Sequence, residues 1–226
     1  MDIIDIITKI ILFGPPVLFS IVLHEVAHGY AAYLYGDSTA KRQGRLSLNP
    51  IKHIDPIGTV LLPLILIVSG SGMLFGWAKP VPVNILLTRN PKRAMGLVAL
   101  AGPMTNLTLA FIALISIKMF GLHDEVFRYL EHLFRGAPLG DVGFLSRIMV
   151  VLMIVNVVLA VFNLIPIPPL DGGRVAVWLL PKEQARAYAK IEPYGMFIIF
   201  ALIIFNPFGI LGKLIGGVLN FFIRLI

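Results

Sequence analysis

Cysteine is absent from the 226 residues. That excludes a disulfide framework and any thiolate metal site, so a metal could draw only on imidazole, carboxylate and carbonyl ligands. Charge is also scarce: 14% of residues are charged, against about 25% in an ordinary soluble domain. Hydrophobic residues make up 58% of the chain. The runs MGLVALAGPMTNLTLAFIALISIKMF (95–120) and IMVVLMIVNVVLAVFNLIPI (148–167) reach the roughly 20 residues that a helix needs to cross a bilayer. Together these features predict an integral membrane protein in contact with the lipid bilayer. The start, MDIIDIITKI, is acidic where a secretory n-region would be basic, so no cleavable signal peptide is expected.

The formal net charge is +7, but Lys and Arg sit in loops beside apolar segments and form no single basic face. Positive-inside topology accounts for them, and a nucleic-acid partner is not expected. The first spanning helix is expected to start near Pro16, after a break at Gly14-Pro15-Pro16, and to end near Gly36. A basic loop follows. IDPIGTVLLPLILIVSG (54–70) is short for a span, and the Val/Pro alternation of GMLFGWAKPVPVN (72–84) predicts an extended segment. Long helices are expected near 93–119 and 145–165, separated by a polar stretch. Three prolines in NLIPIPPLDGG forbid a regular helix there, and Asn206-Pro207 should break the last apolar run, 194–226. With no internal repeat or linker in sight, the expectation is one all-α polytopic membrane domain over 1–226. It would be a bundle of about four to six transmembrane helices with a re-entrant extended segment, and its core would lie at about 16–180.

The chemistry begins with HEVAH, residues 24–28, in the middle of the first apolar helix. Positions i and i+4 share a helix face, so His24 and His28 can reach one zinc ion, with Glu25 beside it to take a proton from water. In hydrocarbon, unpartnered imidazoles are expensive, which favours function over a structural role. A catalytic zinc normally has three protein ligands. The candidates for the third are Asp37, His53, Asp55 and Asp171. Asp171 closes PIPPLDGG, where prolines and glycines permit an unusual backbone; an N-cap for the following RVAVWLL is an equal reading of it.

The pairing of HEVAH with NLIPIPPLDGG, with LAGPMTNL (100–107) between them, resembles the site-2 proteases, intramembrane zinc metalloproteases. The segments NPIKHIDPIG and GWAKPVPVN resemble the compact members that lack PDZ or CBS modules. The resemblance implies one Zn2+ per chain held by His24, His28 and Asp171, general acid/base catalysis by Glu25, and an oxyanion or substrate role for Asn163. It also implies membrane-protein substrates with a transmembrane segment. Asn84, Asn106 and His53 are candidate substrate contacts, with capping, packing or an interfacial role as their alternatives.

Topology is a test of this reading. If 54–84 enters and leaves on one side, Lys41, Arg42, Arg45, Lys52, Arg89, Lys92, Arg93, Arg174, Lys182, Arg186 and Lys190 share one face. That face would be cytoplasmic, in the plasma membrane, with the 120–146 loop external. Residues 73–84 could then hold an unwound substrate by strand addition. The alternatives are a zinc-binding protein or transporter without protease activity, for which inverted repeats would be expected, and a zinc peptidase acting on soluble peptides at the membrane surface.

Overall fold

A computed structural model describes residues 3–68, 76–206 and 209–226, with the side chains of 3–6 and 67–68 left aside. Among the described residues the regular structure is helical and no strand occurs. The first helix, α1, runs Ile3–Leu34 with Pro15 and Pro16 inside it, so the expected break and start near Pro16 are corrected. Two prolines remove two amide donors from the ladder, whereas a break in an apolar run would leave more backbone groups without partners in lipid.

After a left-handed Gly36 (φ 106°), the short α2 spans Thr39–Arg42. Asp55 then accepts from the amides of Ile57 and Gly58, capping a π-helical turn at Pro56–Leu61 that continues into α3, Leu62–Val68. Residues 72–75 of the expected extended segment lie outside the described residues, and 76–84 form neither helix nor regular strand. The Trp77 amide donates to Gly58 O at 3.1 Å and the Lys79 amide to His53 O at 3.0 Å. The outgoing and returning chains therefore lie side by side, antiparallel. A crossing by 54–70 would separate them by about 30 Å, so this pairing supports the re-entrant course.

Helix α4, Pro91–Met119, starts behind Asn90, whose side chain accepts from the Arg93 amide. The polar stretch beyond it is not a plain loop. It contains α5, His123–Arg135, which ends at a left-handed Gly136 and buries Val126, Tyr129 and Leu130 against residues of α4 and of α6, Phe144–Asn163. The mixed letters of 123–135 hide an apolar stripe at helical spacing. Then come α7 (Asp171–Leu179), α8 (Lys182–Ala189), α9 (Glu192–Phe205) and α10 (Ile210–Leu225). The expected interruption after 205 is present, with Asn206 in the left-handed region at φ 35°.

Among the described residues three helices are long and apolar enough to cross a membrane, or four if α8 and α9, bent by 65°, form one span. Their outer faces carry Phe19, Phe111, Ile112 and Ile115, whereas Ser20, Asn106 and Asn156 are fully buried. Apolar groups outward and polar groups paired within is the pattern lipid imposes. The chain is an all-α, multi-pass membrane protein.

One polar contact ties α5 to α6: the Glu125 carboxylate accepts from the Gly143 amide (2.8 Å) and the Ser146 hydroxyl (2.7 Å). Those two donors hold its carboxyl below the usual range. Stability from a depressed carboxyl is full above the unfolded-state value and is lost as pH falls through the folded-state one. The gap in Tm between wild type and Glu125→Ala is therefore expected to be full at neutral pH and to narrow below pH 4.5, the ordinary value; thermal scans across pH check it.

Candidate metal centre

His24 and His28 stand one turn apart on α1, and the face of α4 opposite them repeats at four-residue steps: Val98, Gly102, Asn106. The His28 Nδ1 lies 2.7 Å from Val98 O and the His24 Nδ1 lies 2.6 Å from Asn106 Oδ1. The helices thus cross antiparallel, 28 beside 98 and 24 beside 106. Gly102 sits between, where a Cβ would come within 2.5 Å of His28 Nε2 and 2.6 Å of His24 Nε2. A glycine here lets the α4 backbone pass directly beneath the two rings.

The proton positions follow from the network behind them. Pro16 O and Leu152 O can only accept. The Ser20 hydroxyl donates to Pro16 O (2.7 Å), and Asn156 Nδ2 donates to both Leu152 O and Ser20 Oγ (2.8 Å each). Asn156 Oδ1 is left to accept from Asn106 Nδ2 at 2.8 Å. Asn106 Oδ1 must then accept, so the proton on His24 is at Nδ1. His28 donates from Nδ1 to a carbonyl and has the same tautomer. Both Nε2 lone pairs consequently face inward, 2.9 Å apart.

Asp171 completes the group. It is the first residue of α7, and the preceding Leu170 makes no side-chain cap. Asp171 Oδ2 approaches His24 Nε2 at 3.2 Å and His28 Nε2 at 3.3 Å, so the carboxylate is aimed at the imidazoles. Gly172 and Gly173 allow this: a Cβ on either would overlap the backbone of the 164–168 turn. The three atoms form a triangle of acceptors with no donor among them. Ligands 2.0–2.1 Å from a tetrahedral zinc stand about 3.3–3.4 Å from one another, close to these edges. The arrangement fits a divalent cation.

Glu25 lies next to His24 on α1, and its Oε2 accepts from the Val81 amide at 2.8 Å. His24, His28 and Asp171 are the one group of three or more metal-ligating side chains among the described residues, and Asp37, His53 and Asp55 are not part of it. Asp37 is buried and accepts from the Thr39 amide and hydroxyl and from the Asn84 amide. Burial pushes its carboxyl up, but these donors outweigh it and hold it below the usual range. Asn84 caps a turn at Ile85–Leu87, the capping alternative. His53 is buried with Nε2 2.8 Å from Ser47 O. Asn163 donates back to Leu159 O at 2.9 Å. Asn106 binds a ring at the centre of the site instead of reaching outward.

Sequence reasoning missed Ser20, Gly102 and Asn156. Ser20 and Asn156 carried a signal: polar letters inside apolar spans that mark interior faces. Gly102 carried one in its spacing, four residues from both Val98 and Asn106.

The sequence model of peptidase family M50 matches residues 13–206. YwhC of Bacillus subtilis is 41% identical over 192 residues, 85% of this chain and 79% of that protein. Rip2 of Mycolicibacterium smegmatis is 32% identical over 188 residues, 83% of this chain and 64% of Rip2. Rip2 of Mycobacterium tuberculosis is 31% identical with the same coverage. All three bear provisional names as zinc metalloproteases, and the chain spans just under two thirds of the Rip2 proteins' length. No solved structure matches the chain.

Two outcomes follow for zinc loading of purified protein, read by elemental analysis and chelator competition. Asn106→Ala removes the acceptor that fixes the His24 tautomer and should weaken zinc binding by about 10- to 100-fold. Gly102→Ala places a methyl against both Nε2 atoms and should leave the protein folded, by thermal scan, without zinc.

Proposed function

The chain belongs to peptidase family M50, and on that premise we propose that this zinc metalloprotease cleaves peptide bonds within or beside transmembrane segments of other membrane proteins. The observation that carries the reading is the convergence of His24, His28 and Asp171 on one point, between helices whose outer faces are apolar. A soluble peptide has no need of a site in such surroundings. Zinc held by these three residues, one ion per chain, supplies a Lewis acid that polarises a carbonyl and acidifies water.

Within that reading Glu25 is the general base and acid. It takes a proton from the water whose oxygen bonds to the scissile carbonyl carbon, and returns that proton to the amine nitrogen as the C–N bond breaks. Asn163, at the end of α6, is assigned to the developing oxyanion; its amide would have to leave Leu159 O to serve. The extended segment receives the unwound substrate by strand addition. A substrate helix must open first, because its own hydrogen bonds occupy the carbonyls. The basic loops face the cytoplasm across the plasma membrane, the orientation the positive-inside rule favours.

The test is zinc content and cleavage of a reporter transmembrane segment by purified protein, wild type beside Glu25→Gln. Stoichiometric zinc is expected in both, with cleavage slowed by at least about 10²-fold in the variant. Zinc in both with no cleavage by wild type, across several transmembrane substrates, would replace proteolysis by zinc binding or transport.

A further inference from the structure

The segment Lys79-Pro80-Val81-Pro82-Val83 carries a donor pattern that the proposed chemistry has not yet used. Proline has no amide hydrogen, so Val81 holds the only backbone N–H between Lys79 and Val83. That single donor goes to Glu25 Oε2 at 2.8 Å. Val81 is buried, and it comes this close to α1 because the residue one turn beyond Glu25 is Gly29. A Cβ on Gly29 would lie 2.7 Å from Val81 Cγ1 and 2.7 Å from Leu46 Cδ2.

The segment is also gripped on both sides of Val81. Arg45 Nη2 donates to Lys79 O (2.8 Å) and to Pro80 O (3.3 Å), and Asp37 Oδ2 accepts from the Asn84 amide (2.6 Å). Arg45 and Asp37 are both buried. Burying charge is costly unless it is hydrogen-bonded, and here two buried charges are spent on fixing the backbone of one short segment.

We propose that Val81 is a positioning residue for catalysis: its amide fixes the Glu25 carboxylate, and Gly29 is the gap in α1 that lets the segment approach. The inference rests on the proteolytic reading above and adds a coupling to it. One element both receives the substrate backbone and sets the base, so the distance from scissile bond to Glu25 is fixed within a single segment. With Oε2 held, Oε1 is the oxygen presented to water.

The experiment measures kcat, KM and zinc content on the reporter transmembrane segment. Val81→Pro deletes the donor while keeping an extended backbone, since Val81 already precedes a proline. It is expected to lower kcat by about 10²-fold with zinc and KM unchanged, the split that marks a group acting in the transition state. Gly29→Ala should lower kcat in the same direction, and adding Val81→Ala together with Leu46→Ala should restore it, because both methyls 2.7 Å from the new Cβ are removed while the amide is kept.

Wild-type kcat in Val81→Pro overturns the proposal. If Val81→Pro purifies without zinc, the Gly29 series decides: full kcat in zinc-loaded Gly29→Ala, or no recovery in the variant that also carries Val81→Ala and Leu46→Ala, overturns it. Both failures leave wild-type cleavage intact. A wild type that holds zinc and cleaves nothing removes the proteolytic reading, and this inference with it.

Discussion

Three acceptor atoms, His24 Nε2, His28 Nε2 and Asp171 Oδ2, stand 2.9 to 3.3 Å apart with no proton to share. Acceptors this close repel one another when unprotonated, so the rest of the structure must hold them together. The protons that could have separated them are drawn away on the far sides of the rings, to Val98 O and Asn106 Oδ1. The second of these is secured by a chain of buried amide and hydroxyl groups that ends on two helix carbonyls, Pro16 O and Leu152 O. Three helices, α1, α4 and α6, thus contribute to the tautomer of one histidine. In lipid such a chain is stable because none of its members has water as an alternative partner.

Helix α4 is the element on which this arrangement turns. Half of its buried residues are Ala94, Gly96, Ala99, Gly102, Ala110 and Ala113, small residues that let backbones come close where no hydrophobic effect drives helices together. Close approach in turn places a main-chain carbonyl within reach of His28. A larger side chain at Gly102 would meet both imidazoles, and they would lose the partners that orient them. Packing and ligation are here one requirement.

How much of this could be read from the letters depends on where the information lies. HEVAH and LDGG are legible because side-chain identity at fixed spacing carries the chemistry, and the apolar runs gave α4 and α6 to within two residues. Pro15 and Pro16 misled because the local rule for proline is outweighed by the need of an apolar segment to satisfy its backbone. Helix α5 was overlooked because its charged letters mask an apolar stripe. Asn106 was named as a substrate contact, but only tertiary contact shows that it faces His24. The Val81 amide could not have been found at all, because a backbone donor has no letter of its own.

Irregular backbone is the remaining difficulty, since a site inside a helical membrane protein needs non-helical segments and each exposes donors that lipid cannot satisfy. Both such segments beside this site are rich in proline, and each donor within 80–82 and 166–170 has a partner. In 80–82, Pro80 and Pro82 have no donor, and the Val81 amide goes to Glu25. In 166–170, Pro166, Pro168 and Pro169 have none, the Ile167 amide goes to Ile165 O (2.8 Å), and the Leu170 amide goes to Ile167 O (2.9 Å). Proline therefore does more than interrupt helices here. It removes the donors that an unwound chain would otherwise leave bare, and where one donor is kept between two prolines, it is kept against the carboxylate that the chemistry requires.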